Sequence, residues 1–476
     1  MRWLEGVGEW ALLSVWMQGY EQPSANALLG DPPLCRPWPP LPRSRRVTRV
    51  VSAFVAPSLD QLYTTAELWW RWYLSRRGGK VMDFRFSPED EAFRQEVREF
   101  LQREWPQDEI GGAESPLGYG GGRGLEDIKA LQKKLAQKGW LTMAWPKEYG
   151  GQGASIWRQV IYNEEMAYHR APQQLGVGPD RVGPTIMIYG TEDQKAQFLP
   201  PIAKAEVIWC QGFSEPGAGS DLASLQTTAV LEGDYFVING QKIWTSLAHV
   251  ADWMILLART DPDAPKHKGI SYFLVDMKTT GITVRPLYDI TGRHAFNQVF
   301  FDNVRVPKSH LVGELNRGWY VAAATLDFER SGINRVMAGI RSYEELVEYS
   351  KETRVGSRPL ISLPNVRHKL AELKIEFEVG RMLAYRVASI QAAGRIPNQE
   401  ASVSKLFGSE LQQRLAAAGI SILGLGGALR PGSKWAPLAG RIADYYLAAV
   451  ATTIAAGTSE IMRNIIAIRG LGLPRG

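Results

Sequence analysis

Along this 476-residue chain the spacing of apolar residues changes period twice, and that change limits the fold more than any single motif does. From Ser87 to about Ala205 the apolar residues recur at helical spacing. From about Glu206 to Val312 they alternate, and from Trp319 the helical spacing returns and lasts to the end. A helix repeats every 3.6 residues and a strand every two, so a segment patterned for one buries the wrong side chains as the other. Helices and strands are thus segregated along the chain, which predicts an α+β multidomain fold. The expected order is a helical domain over 82–205, a middle β-domain over 206–315 and a C-terminal helical bundle over 316–476. An atypical extension over 1–81 precedes them.

The boundaries rest on local chemistry. Ser87 is an N-cap candidate, Pro88 suits the first helical position and Asp90 completes a capping-box pattern. Phe93, Val97, Phe100 and Leu101 then share one helical face. "WPKEYGGQGAS" (Trp145–Ser155) reads as a loop. "YGTEDQKAQFLPPIA" has Thr191 as a cap and Pro200-Pro201 as a stop. In "LEGDYFVINGQKIWTS", turns are expected at Gly233-Asp234 and Asn239-Gly240. Strands follow in "DWMILLART", "ISYFLVDM", "ITVRPL" and "QVFFDNVRVP". Four helical segments, roughly 317–353, 364–394, 400–423 and 439–469, have the stripes and short connections of a four-helix bundle.

Residues 1–81 are unlike the rest. They hold seven of the 16 tryptophans and the aperiodic "RPWPPLPRSRR". A charged start and a long apolar run, the marks of a signal peptide, are missing. A transit peptide fits poorly with six acidic residues. The segment is expected to be foreign to the functional fold, poorly ordered or an overextended gene start, with Met82 behaving as the domain start.

The formal charge of +6 raises the question of a nucleic-acid partner. Nine arginines and Lys80 against six acids put +4 of it in residues 1–81, leaving +2 for the other 395 residues. No nucleic-acid partner is expected from so small a surplus. No apolar run reaches the roughly 20 residues of a membrane span. Cys35 and Cys210 cannot form a disulfide framework, which fits a reducing, cytoplasmic setting; Cys210 is expected as a small core residue. The six histidines show no H-x-x-x-H pairing and the cysteines no C-x-x-C, so no metal site is expected.

"QGFSEPGAGSDLASLQTTAV" (Gln211–Val230) begins a G-x-G at Gly217-Ala218-Gly219. A dinucleotide loop needs a third glycine and a following helix. Leu222 stands at the third position and strands follow. A plain structural turn or a backbone-lined cofactor wall remains, the latter offering main-chain N–H groups and the hydroxyls of Ser214 and Ser220.

Together with "GQKIWTS", "FDNVRVP" and "AAGTSEIMRNIIA", this stretch resembles the motif set of the acyl-CoA dehydrogenase family. "WPKEYGGQG" and "YGTEDQKAQFLP" match in order and spacing, and the resemblance covers about 82–476. It implies the same three-domain fold and FAD bound between the β-domain and the bundle. It implies that Gln211, Gly212, Phe213, Ser214, Gly219 and Ser220 contact the flavin, with Ser220 also near the acyl-CoA. Trp244, Thr245 and Ser246 would cover the other side of the ring. Thr458 and Glu460 in "GTSEI" would complete the FAD site from the bundle, with Gly457 lining the substrate. Gly424 would meet the FAD of a neighbouring subunit, although Ser421 stands where a Gln is usual. Arg354 would bind the neighbour's pyrophosphate, although Gly356 and Pro364 replace the usual Phe and Gln.

The implied reaction removes a proton α to the thioester while a hydride leaves the β-carbon. A carboxylate serves as the base if burial raises its pKa. Many relatives carry that Glu immediately before "GTS", where this chain has Ala456. Others carry it on an earlier bundle helix in an "L-x-x-E-R" context. "TLDFERSGINR" matches that context and makes Glu329 the expected base, with Asp327 and Arg330 lining the substrate. A long helix containing Ser331-Gly332 would leave room for a bulky chain. The "FER" form and "AIRGLGLPR" also resemble actinobacterial dehydrogenases that act on sterol side chains or other bulky acyl-CoAs.

The implied activity is oxidation of an acyl-CoA to trans-2-enoyl-CoA, with electrons passing to an electron-transfer flavoprotein and the subunits forming a homotetramer or heterotetramer. Two alternatives stand beside it: a flavin oxidase using oxygen, and a non-catalytic subunit supporting an active partner.

Overall fold

The computed structural model describes residues 86–106, 124–328 and 332–475, the side chains of 326–328 excepted. The expected extension over 1–81 lies outside the described residues. Ser87 caps α1 (Pro88–Glu104): its Oγ accepts from the Asp90 N–H at 3.1 Å and donates to the Asp90 carboxylate at 2.9 Å. Phe93, Val97, Phe100 and Leu101 are the residues α1 buries. They pack with residues of α2 (Leu125–Gln137) and α3 (Ile156–Tyr168) around Trp105 and Trp140.

After α4 (Gly183–Tyr189), Thr191 and Gln194 form a capping box on α5 (Glu192–Ala203). The expected stop at Pro200-Pro201 comes one turn late, since both prolines lie inside α5. They sit in its last turn, so little helix follows the N–H groups they lack.

The middle of the chain forms an eight-stranded sheet: β1 (Trp209–Gly212), β2 (Thr228–Glu232), β3 (Tyr235–Lys242), β4 (Trp253–Arg259), β5 (Ile270–Asp276), β6 (Ile282–Tyr288), β7 (His294–Pro307) and β8 (Leu311–Val312). The strand order is β6-β7-β3-β2-β4-β5-β8, and β1 runs parallel to β4. The turn at Gly233-Asp234 joins β2 to β3 as expected. Asn239-Gly240 is not a turn. It lies within β3 as a bulge against β7, with Gly240 at φ 143°. A Cβ there would stand 2.7 Å from the Thr227 Cα, and the Asn239 side chain accepts from the Asn303 N–H at 2.8 Å. Glycine is needed for that close approach.

Both faces of the central strands are covered, which is why β4 and β5 read as nearly continuous apolar runs. Ile255, Leu257, Tyr272 and Leu274 face Val182, Ile186 and Phe198 of the helical segment, and Val321. Met254, Leu256, Phe273 and Val275 face Phe236, Val299, Phe301 and Val304. Cys210 lies in this second core; it is buried, and burial pushes its thiol pKa far up.

The C-terminal helices are α6 (Gly318–Phe328), α7 (Ile333–Glu352), α8 (Pro364–Ala392), α9 (Gln399–Leu423), α10 (Arg441–Ala449) and α11 (Ser459–Ile465), with a small ribbon of β9 (Arg354–Val355) and β10 (Arg358–Pro359) after α7. Two expected helices are divided. Gly332 does not sit inside a helix but caps α7 at φ 76°, a left-handed conformation glycine reaches without a Cβ penalty. The segment over 439–469 breaks at Ala456 (φ 55°) and Gly457 (φ 89°). Leu346, Phe377, Leu415 and Tyr445 share the bundle core. Among the described residues, no helix is long and apolar enough to cross a membrane.

Candidate active site

β1 places Gln211 and Gly212 beside Ile255 and Leu256 of β4, and the chain then turns sharply. Glu215 and Ala218 exchange backbone hydrogen bonds of 2.9 and 3.0 Å around Pro216-Gly217. The Glu215 carboxylate accepts from the N–H groups of Gln226 and Thr227 at 2.7 and 2.9 Å and from Lys242 Nζ at 2.8 Å. Lys242 Nζ also donates to the Phe213 carbonyl at 3.1 Å, and the Ile243 N–H to the Ser214 carbonyl at 2.9 Å. Lys242 is 0% exposed and Glu215 8%. Burial lowers the Lys242 pKa to about 8, with attraction to Glu215 offsetting part of the effect. Burial raises the Glu215 pKa, but the charge and hydrogen bonds of Lys242 outweigh it and hold the carboxylate below its usual range. This buried pair ties the glycine-rich turn to the end of β3, bringing together two segments expected at one site.

The segment after β3 is strained and tightly held. Trp244 and Leu247 have φ 59° and 61°, a left-handed conformation costing non-glycine residues roughly 1–2 kcal/mol each. Trp244 is 60% exposed, and its ring meets Phe296 edge-on at 5.7 Å. Thr245 exchanges a backbone bond with Asn297, its N–H donating to the Asn297 carbonyl at 3.0 Å. Thr245 is fully buried, yet its Oγ1 has no hydrogen-bond partner among the described residues. A Cβ built on Gly217 or Gly219 would meet nothing within 4 Å. An unpartnered hydroxyl, an exposed indole and glycines bordering open space fit a flat aromatic cofactor with polar edges.

Of the other expected residues, Gln211 Oε1 accepts from Arg181 at 3.5 Å, Phe213 is buried against Tyr272, Gly219 and Ser220 are exposed, and Ser246 is half-buried. From the bundle, Thr458 caps α11, its Oγ1 accepting from the Ile461 N–H at 3.2 Å. Glu460 follows in the first turn, its carboxyl held below the usual range chiefly by a backbone N–H. The buried Lys405 Nζ donates to the carbonyls of Gly457 at 2.6 Å and Thr452 at 3.2 Å, fixing the loop before α11. Gly424 ends α9 at φ 59°. Arg354 is exposed on β9 and donates to the Ser357 carbonyl within its own ribbon. Glu329, Arg330 and the side chain of Asp327 lie outside the described residues.

Sequence reasoning missed Glu215, Lys242, Asn297 and Lys405. "SEPGAGS" and "GQKIWTS" contain the first two, but a buried ion pair leaves no periodic signal. It also missed a latch between the β-domain and the bundle. The Asp444 carboxylate accepts from Arg293 Nη2 at 2.6 Å and Arg430 Nε at 3.0 Å, and Arg430 also donates to the Thr291 carbonyl.

Three domain families match between residues 87 and 471: acyl-CoA dehydrogenase N-terminal domain at 87–206, middle domain at 210–304 and C-terminal domain at 316–471. Acyl-CoA dehydrogenase IpdE1 of Mycobacterium tuberculosis is 40% identical over 395 residues, covering 80% of this chain and 99% of that protein. The solved Tcur3481-Tcur3483 steroid ACAD is similar at TM-score 0.75 and 36% identity, covering 83% of this chain and 100% of that one. The ChsE4-ChsE5 complex from Mycobacterium tuberculosis matches at TM-score 0.74 and 36% identity, with 83% and 100% covered.

Proposed function

Given that this chain belongs to the acyl-CoA dehydrogenase family and is a flavin-dependent oxidoreductase of that family, we propose that it uses FAD to oxidise a bulky acyl-CoA to the trans-2-enoyl-CoA, with Glu329 as the base. The observation that carries the site assignment is the Glu215–Lys242 clamp, which joins the glycine-rich turn to the Trp244–Ser246 segment as one wall. Gln211 to Ser214, Gly219 and Ser220 line one part of that wall and Trp244 to Ser246 the other. Thr458 and Glu460 close the site from the bundle, while Gly424 and Arg354 serve a neighbouring subunit's cofactor.

When bound there, the flavin supplies the acceptor for the hydride leaving the β-carbon. Glu329 would take the α-proton, leaving the α C–H electron pair to form the new double bond as the β C–H pair departs with the hydride. Ala456, with only a methyl group, cannot take that proton, which supports the earlier position. Asp327, Arg330, Gly457 and Ser220 line the acyl-CoA. A steroid-derived acyl group is favoured by the likeness to a steroid ACAD. Both structural relatives pair two differently named chains, which favours a heterotetramer over a homotetramer. An electron-transfer flavoprotein reoxidises the flavin, and the setting is cytoplasmic.

The test is anaerobic mixing with a panel of acyl-CoAs while the oxidised-flavin absorbance is recorded. Bleaching by a steroid-derived or other bulky thioester is expected. Glu329→Gln should keep the flavin and lose turnover by about 100-fold or more, the range of a general base. Retained turnover in Glu329→Gln removes the base assignment. A flavin that no thioester bleaches removes the dehydrogenase reading for the chain alone.

A further inference from the structure

Asn297 on β7 is 0% exposed, and every polar atom of its side chain is engaged. Nδ2 lies 2.9 Å from the Thr245 carbonyl and 3.2 Å from His249 Nδ1, and Oδ1 lies 2.7 Å from His294 Nε2. The orientation of the amide follows from chemistry alone. A carbonyl only accepts, so the nitrogen must face Thr245. That nitrogen then also faces His249 Nδ1, which must be an unprotonated acceptor. The amide oxygen faces His294 Nε2, which must carry the proton.

The two imidazoles stack at 4.1 Å between centroids, with Tyr288 beside His294 at 5.6 Å. Burial and the neighbouring His294 both lower the pKa of His249, in keeping with its neutral role. The neighbouring β7 residues act on the same segment: Phe296 meets the Trp244 ring, and Gln298 donates to Gln241 at 2.7 Å. Two left-handed non-glycine residues, Trp244 and Leu247, bracket the one residue Asn297 grips from both its N–H and its carbonyl. Such a conformation persists only where its surroundings over-determine it.

Resting on the flavin assignment above, we propose that Asn297 is a positioning residue for the cofactor, its carboxamide holding the Thr245 carbonyl and so presetting Trp244, the Thr245 hydroxyl and Ser246 as a rigid wall. It touches neither substrate nor cofactor. It acts by fixing the backbone that carries the buried, unpartnered Thr245 Oγ1 and the exposed Trp244.

Asn297→Asp tests this in the full-length protein because it preserves shape and the bond from His294 while abolishing donation to Thr245. Asn297→Ala is the companion, removing all three contacts without adding a charge. FAD affinity is measured by titrating apoprotein, and the flavin midpoint potential by dye equilibration; neither needs a substrate. Both variants should keep the wild-type circular dichroism, bind FAD about tenfold more weakly, as expected for one lost hydrogen bond to a held group, and shift the midpoint potential. Folded variants matching the wild type in affinity within twofold and in potential overturn the inference and leave the flavin reading standing. Failure of both variants to fold also overturns it, because Asn297 is then a core residue only. A wild-type protein that takes up no FAD overturns the flavin reading and this inference together.

Discussion

Lys242 shows how a single residue can hold two motifs in one place. Its ammonium has no solvent contact, and its partners are one carboxylate and one carbonyl. A buried ion pair is poor evidence of stability in itself, since desolvation offsets much of the attraction. Breaking one is different, because the remaining charge is left buried without a partner. Lys242→Met should cost about 3–5 kcal/mol, read from the denaturation midpoint, and should weaken FAD retention. The double variant Lys242→Met/Glu215→Gln should recover part of that loss. A double variant no more stable than the single one would show that the pair does not act as a unit.

At the scale of elements, the division of the last helical segment decides what α11 presents. Ala456 and Gly457 are both left-handed, so the chain reverses before Thr458 caps α11. A Cβ on Gly457 would lie 2.6 Å from Met462 Cε, the flexible end of a side chain, so the clash can relax. The φ of 89° cannot. Gly457→Ala should cost about 1–2 kcal/mol in thermal unfolding and move the carbonyl that Lys405 holds. An unchanged melting temperature would mean that the loop adapts freely. The apolar stripe of this segment was legible in the sequence and the break was not, because Ala456 has a high helix propensity and takes its left-handed φ from tertiary constraint. The same distinction explains Asn239-Gly240. The pair is a strong turn signal in isolation, yet cross-strand partners on β7 carry the strand through it as a bulge.

Across the whole molecule, the β-domain and bundle are joined by the Asp444 latch. Asp444 is nearly buried, while Arg293 and Arg430 are partly exposed, so solvent screening discounts the pairing. Asp444→Ala should cost about 1–2 kcal/mol and separate the calorimetric transition of the β-domain from that of the bundle. One unshifted cooperative transition would show that the latch contributes nothing to coupling.

The sequence by itself determined the segregation of helices and strands, the buried face of α1, the caps at Ser87 and Thr191, and the family. These are local properties: period, cap chemistry and short ordered motifs act over a few residues and can be read there. Only the tertiary structure decided which buried groups pair. The Glu215–Lys242 clamp, the Asn297 grip on Thr245, the Lys405 hold on Gly457 and the Asp444–Arg293 arm of the latch join residues 27 to 151 positions apart. Such contacts depend on which groups lose water together when distant elements pack, and no local pattern encodes that.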